Sequence, residues 1–364
     1  MNAHHPLWHR LRAVLALDAP MTAILALLLT AGLVTLYSAS ADFPGRFELQ
    51  LRNVLMALAL MWTAANIPPQ ALMRHAVTLY AIGVGLLLAV FLFGATKKGS
   101  TRWLNIGHDF QPSEMMKIAM PMMLAWFFHR VEDAKGWQVF LAAGVLLAIP
   151  VGLIAKQPDF GTAMLVLAAG FYVIILAGLS WKAIAALAVS GIAAVPVVWN
   201  LLHDFQRQRV LTFLDPGADP TGKGFQITQA KIAIGSGGVT GRGWMDGSQG
   251  HLGFIPERST DFIFSVFAEE FGLAGELVLL VLYALLVWRG LQISANAATR
   301  FSRLLGGAIT MILFTYAFIN IGMVCGVVPV VGVPMPFFSY GGTALVILGL
   351  GCGILMSIRR QSLS

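Results

Sequence analysis

The sequence predicts an all-α polytopic membrane protein of about ten transmembrane helices, and three observations carry that expectation. Hydrophobic residues make up 57% of the 364-residue chain and charged residues only 11%. Apolar runs of roughly 20 residues, each long enough to cross a hydrocarbon core as a helix, recur from one end to the other. No stretch is polar and large enough to fold separately in water, so residues 1–364 read as a single integral membrane domain. The net charge of +7 then points to cytoplasmic anchors and to sites for anionic lipid or phosphate, and not to nucleic acid.

The spans follow in order. The first is Ala19–Ser38. Tyr37-Ser38-Ala39-Ser40-Ala41 resembles a signal-peptidase site, but the apolar run from Ala19 to Leu36 exceeds the roughly 7–15 residues of a signal core, so an uncleaved helix is expected. Leu49–Ile67, Ala71–Gly94, Ser113–Arg130, Trp137–Ala155, Phe160–Gly178 and Trp181–Leu201 come next. A long loop, about 202–260, separates the seventh and eighth spans. Within it Phe205–Leu214 has helical spacing, Asp215-Pro216 and Asp219-Pro220 break the helix, and Phe225–Gly235 reads as a short amphipathic surface helix. The last spans are Asp261–Trp288, Ser302–Val328 and Ser339–Ile358. Pro329, Pro334 and Pro336 end the ninth, and Ser339-Tyr340-Gly341-Gly342-Thr343 opens the tenth.

An even count puts both termini on one side. Arg10, Arg12, Arg74, Arg130, Lys135, Lys182, Arg289, Arg300, Arg303, Arg359 and Arg360 fall there in short connections, which makes that side cytoplasmic. The opposite side is basic too. Lys97, Lys98, Arg102, Arg207, Arg209, Lys223, Lys231, Arg242 and Arg258 lie in loops at about 95–112 and 202–260. Basic residues held against the usual bias point to an anionic ligand at the outer face; the plain alternative is a solvated basic loop.

Scarce charge makes the junction from Ile234 to Gly272 the focus of the chain. Its first half is glycine-rich, and its second places Glu257, Arg258, Asp261, Glu269 and Glu270 at the mouth of the eighth span. Asp261, in Ser-Thr-Asp before an apolar run, is either a helix N-cap or an ionised carboxylate able to accept a proton from a hydroxyl. Glu269 and Glu270 should lie about 12 Å deeper along a continuous helix and serve as paired or protonated polar contacts. Glu114 and Lys117, three residues apart, share a helix face, and an intramembrane lysine facing a cavity suits phosphate or pyrophosphate. Arg102-Trp103 adds a guanidinium for phosphate and an indole for the interface or a sugar, while Asp159 is a further outer acid or a helix cap. The GxGxxG-like run at 235–243 is no dinucleotide site, because no strand precedes it. Cys325 and Cys352 lie in apolar segments, and the eight histidines show no metal-ligand spacing.

Taken together, Arg102-Trp103, Gln111-Pro112-Ser113-Glu114 with Lys117, Lys156 to Thr162, Gly253 to Gly272 and Asn320 to Ala344 resemble the shape, elongation, division and sporulation (SEDS) family of bacterial cell-wall membrane proteins over essentially the full length. The Pro256 to Phe264 run and the short termini point to its elongation branch. The resemblance implies a peptidoglycan glycosyltransferase that uses lipid II at the outer leaflet of the bacterial cytoplasmic membrane, with inversion and a polyprenyl pyrophosphate leaving group. It implies that Asp261 is the base, and that cations drawn from Arg102, Lys117, Arg207, Arg209 and Arg258 compensate the pyrophosphate; the sequence leaves open a divalent ion (Mg or Mn) there. It further implies a class B penicillin-binding protein and other elongation proteins as partners. A lipid II flippase is the alternative, although no inverted repeat is visible.

Overall fold

Each expected span forms a helix, and the helix bounds follow from local chemistry. The computed structural model describes residues 17–363 except 98–99, 106–108, 132–135, 158, 202–203, 216, 218, 220–221 and 249–252. Among these, the chain forms twelve helices and three short strands. Helix α1 (Ala19–Ala39) starts at Asp18, whose carboxylate accepts the Met21 N–H at 3.0 Å. Helix α2 (Arg46–Asn66) follows Gly45, at φ 80°. Pro69, which needs no N–H partner, opens α3 (Pro69–Phe93). Then come α4 (Pro112–Arg130), α5 (Trp137–Lys156), α6 (Phe160–Leu176) and α7 (Trp181–Leu201). The long loop holds α8 (Asp204–Leu214) and α9 (Lys223–Gly237), and α10 (Ile263–Ala295), α11 (Arg300–Val324) and α12 (Thr343–Gln361) complete the chain.

Helices α1, α3, α5, α10, α11 and α12 are each long and apolar enough to cross a membrane; α6 and residues 181–197 of α7 are shorter apolar helices. The two polar members are α2 and α4. Helix α4 packs against α3, α5, α6 and α11, and Pro112 to Phe128 is buried along almost its whole length. That central position lets Glu114 and Lys117 sit within the bundle without meeting lipid. By contrast α7 is exposed along most of its length. Helix α9 buries Ile227, Ala230 and Ala233, an i, i+3, i+6 stripe, against α10. The first outer loop is more regular than expected. Strands β1 (Ala95–Lys97), β2 (Ser100–Asn105) and β3 (Asp109–Phe110) pair antiparallel in that order, with Ala95 opposite Trp103 and Leu104 opposite Phe110.

The main departure from expectation lies in α10. A straight 33-residue helix would be about 50 Å long, well beyond the roughly 30 Å hydrocarbon thickness. Gly272, at φ 62° and ψ −167°, breaks it into residues 263–271 and 273–295. The glycine-rich turn after α9 seats in the break. The Arg242 and Gly243 N–H groups donate to the carbonyls of Glu269 and Glu270 at 3.0 and 3.1 Å, and those of Leu273 and Ala274 donate to Gly238 and Val239, both at 3.0 Å. A Cβ on Gly241 would stand 2.1 Å from the Glu270 carbonyl oxygen, and one on Gly272 would stand 2.3 Å from the Gly241 nitrogen. The glycines therefore bring two backbones together.

This break also corrects the depth of the acids. Glu270 accepts a hydrogen bond from Ser38, about 29 Å along α1 from Ala19. The Asp261 carbonyl accepts one from Asn320, about 30 Å along α11 from Arg300. Ala19 and Arg300 lie at the same end of the bundle, where Arg289 pairs with Asp18 at 2.6 Å. Asp261 and Glu270 thus stand at similar heights. Between them residues 263–271 pack inside the bundle, where the Phe267 ring meets that of Phe338, whose backbone lies against Gly32 of α1, about 9 Å below Ser38.

Candidate active site

Asp261 sits on a turn, not on a helix cap. The Thr260 and Phe262 N–H groups donate to the Glu257 carbonyl at 3.1 and 3.2 Å, helix α10 begins at Ile263, and Phe262 occupies the cap position without a side-chain cap bond. The capping explanation for Asp261 therefore falls away. The turn is held from the last turns of α11 and from the proline- and glycine-rich connection that follows it. Asn320, fully buried, donates through Nδ2 to the carbonyls of Asp261 and Val333 at 2.9 and 2.8 Å. Ser339 donates to the Thr260 carbonyl at 2.7 Å and accepts the Met335 N–H at 2.8 Å, while the Tyr340 N–H donates to the Ser259 carbonyl at 2.9 Å. Gly332, at φ 75°, lies beside the carboxylate: a Cβ there would be 3.4 Å from Asp261 Oδ2. This is what the Asn320 to Thr343 stretch builds.

A second cluster lies one layer away. Lys117 is buried at 3% exposure and its Nζ donates to Glu114 Oε1 at 2.5 Å and to the Tyr316 hydroxyl at 2.6 Å. Asp159 is the N-cap of α6 and accepts the Thr162 N–H at 3.3 Å, so its capping role is real. The same carboxylate also accepts from Gln111 Nε2 at 2.7 Å and pairs with Arg102 at 3.6 Å. Two buried polar atoms of this cluster, Arg102 Nε and Glu114 Oε2, have no hydrogen-bond partner. The clusters share a wall. Tyr316 is one helical turn, about 6 Å, from Asn320. A Cβ on Gly161, at the start of α6, would stand 3.0 Å from the carbonyl oxygen of Val331, the residue before Gly332.

Other expected residues are placed differently. Arg258 is buried, and its guanidinium is engaged by the Ala39 carbonyl at 2.9 Å and by the Asp42 carboxylate. Arg207 donates to the carbonyls of Trp199 and Asn200, both at 3.0 Å, at the end of α7. Trp103 is half-buried on β2. The side chain of Arg209 lies outside the described residues. Glu269 accepts from the Ser236 and Ser248 hydroxyls at 3.4 and 3.2 Å, and Glu270 from Ser38 and the Met245 N–H, so both acids fasten the loop over α10. Among the described residues no group of three or more His, Cys, Asp or Glu side chains could hold a metal ion. Sequence reading missed Tyr316 and Asp42 as partners. Tyr316 carried one signal, a hydroxyl one turn before Asn320 in an apolar span.

Comparison with known proteins identifies the family. The profile of the FtsW/RodA/SpoVE family, described as cell cycle protein, matches residues 19–363. The chain is 49% identical over 344 residues to the peptidoglycan glycosyltransferase MrdB of Escherichia coli strain K12, covering 94% of this chain and 93% of that one. It is 34% identical over 342 residues to the probable peptidoglycan glycosyltransferase FtsW of Geobacter sulfurreducens, covering 90% and 91%. A chain solved in a study of how a peptidoglycan synthase complex coordinates polymerization and crosslinking superposes with a TM-score of 0.82 at 33% identity, over 94% of this chain and 98% of that one. The Thermus thermophilus rod shape determining protein RodA superposes with a TM-score of 0.72 at 27% identity, over 95% and 98%.

Proposed function

This chain belongs to the FtsW/RodA/SpoVE family, and from that premise we infer that it is a peptidoglycan glycosyltransferase of the RodA type, polymerising lipid II during cell elongation. The observation that carries the mechanism is a carboxylate, Asp261, fixed on a turn that it does not cap, with a buried cation cluster across the same wall. In the reaction the GlcNAc 4-hydroxyl of one lipid-linked chain attacks MurNAc C1 of another, and the C1–O bond to the polyprenyl pyrophosphate breaks with inversion. Asp261 accepts the proton from the attacking hydroxyl. Pyrophosphate leaves as an anion and needs cationic compensation more than a second carboxylic acid. Lys117 uses its N–H donors on Glu114 and Tyr316, leaving one of its three for a phosphate oxygen. The unpartnered Nε–H of Arg102 is a second donor, with Asp159 and Gln111 holding that side of the cluster. Trp103 and Arg209 stay assigned to the substrate-facing loops, whereas Arg207 and Arg258 are assigned to holding α7 and the Asp261 turn. A Mg or Mn ion accompanying the pyrophosphate would rest mainly on phosphate oxygens, since the described residues build no cage for it.

The site faces the exterior of the bacterial cytoplasmic membrane and both termini face the cytoplasm, following the positive-inside pattern. A class B penicillin-binding protein supplies the transpeptidase in the elongation complex. The decisive experiment purifies the chain with that partner in detergent, supplies lipid II and compares wild type with Asp261→Asn for glycan polymer. Detergent removes any need for flipping, so polymer from the wild type separates the transferase from a flippase. Normal polymerisation by Asp261→Asn would overturn the base assignment.

A further inference from the structure

Two polar side chains of α2 reach across the loop end of the bundle to the turn that carries Asp261. Arg46 and Gln50 are four residues apart and share a helix face. Gln50 is buried at 3% exposure. Its amide donates from Nε2 to the Ser339 carbonyl and accepts the Gly341 N–H at Oε1, both at 3.1 Å. Ser339 passes the connection on, because its hydroxyl donates to the carbonyl of Thr260, the residue before Asp261. Arg46 makes the second link. Its guanidinium donates to the Ser259 hydroxyl and lies 3.9 Å from the Phe43 ring centroid and 5.2 Å from that of Tyr340.

A buried glutamine is costly in a spanning helix unless both ends of the amide are matched. Here both are matched, by two backbone groups that flank Tyr340. The helix behind them is a firm base. Helices α2 and α12 are packed with backbone against backbone: a Cβ on Gly353 would stand 2.3 Å from the Met61 carbonyl oxygen, and one on Gly349 would stand 3.1 Å from that of Ala57. The turn bearing Asp261 is therefore referenced to a closely packed helix pair by two routes that meet at Tyr340, Gln50 through Ser339 and Arg46 through Ser259.

We propose that Gln50 and Arg46 are positioning residues for glycosyl transfer, setting the Asp261 carboxylate against the acceptor hydroxyl. The inference rests on the reading of Asp261 as the base. A base displaced by about 1 Å loses on the order of 100-fold in rate while substrate binding elsewhere is kept. The effect belongs in kcat and not in KM.

The test uses the full chain with its transpeptidase partner in detergent and follows lipid II polymerisation and thermal unfolding together. Gln50→Met keeps side-chain length and removes both hydrogen bonds; its kcat should fall about 10- to 100-fold with KM within about twofold of wild type. Arg46→Ala should fall similarly, and Arg46→Lys, which keeps one donor for Ser259, should recover much of the loss. Because Gln50 acts through Ser339, the double variant Gln50→Met with Ser339→Ala should be no slower than the slower single variant. Wild-type kcat in folded Gln50→Met and Arg46→Ala, a loss confined to KM, or multiplying losses in the double variant would each overturn the proposal. If Gln50→Met does not fold, Arg46→Ala against Arg46→Lys decides: equal loss in both overturns it. Asp261→Asn in the same assay separates the two claims. If it is inactive while the α2 variants are normal, only the positioning role fails; if it is active, both fail.

Discussion

Replacing Lys117 by Met removes the charge at the centre of the cation cluster while keeping a side chain of similar length. Glu114 is then left buried without its ammonium partner, and the Tyr316 hydroxyl loses its contact. Removing one member of a buried pair costs about 3–5 kcal/mol. The Glu114 side chain keeps 12% exposure, which places this site at the lower end, about 3 kcal/mol. Glu114→Gln alone strands the lysine and should cost a similar amount. In the double variant, Lys117→Met with Glu114→Gln, no charge is left to desolvate, and the total should be only about 1 kcal/mol. A double-mutant cycle on the detergent-solubilised protein, followed by tryptophan fluorescence on heating, measures the coupling. Glycan polymerisation is measured on the same samples, and the double variant should recover stability while remaining inactive. Additive destabilisation would refute the pairing, and wild-type polymerisation by the double variant would show that the pair serves packing alone.

The opposite end of the bundle offers a pH test. Burial tends to raise the Asp18 carboxyl, but hydrogen bonds from Arg289 and from the Met21 N–H, with the Arg289 charge, outweigh it and hold the group below its ordinary value. A carboxyl lowered in the folded state contributes stability that is present above its unfolded value near 3.9 and is lost as pH falls toward the folded one. The melting temperature of wild type should therefore exceed that of Asp18→Asn at neutral pH, and the gap should close on acidification below about pH 4. A gap independent of pH would refute this. Gly272→Ala should destabilise by at least about 2 kcal/mol, since φ 62° is strained for alanine and the Cβ meets the Gly241 backbone. Gly85→Ala on α3, whose Cβ would meet nothing within 4 Å, should be near neutral in the same melting assay.

The ten spans were legible because membrane crossing demands long apolar runs, and few other pressures produce them. Their ends were less so. The ninth span stops at Val324, not Val328, because Gly326 at φ 72° turns the chain and the Val327 and Val328 N–H groups fold back onto the Gly322 carbonyl. Helix α12 starts at Thr343, not Ser339, because Ser339 and Tyr340 are held by the Asp261 turn. Both are tertiary effects that no local propensity records. The charged residues of the site were legible by their rarity in an apolar chain. Their partners were not: nothing local links Arg258 to Asp42, or Lys117 to Tyr316, across more than a hundred residues. The same limit hid the break in α10. Gly272 alone reads as one tolerated glycine, and only the turn 237–243 docking from elsewhere reveals the left-handed residue.

That break also bears on how the chain enters the membrane as it is synthesised. A segment carrying Asp261, Glu269 and Glu270 at its head would have to partition against about 2.5–3.5 kcal/mol for an acidic side chain held near the bilayer centre. With the chain parted at Gly272, the insertion machinery needs to release only residues 273–295, about 35 Å of helix that suffices to span on its own. The acids can stay at the rim throughout, and the glycine-rich turn then closes over them from chain already made.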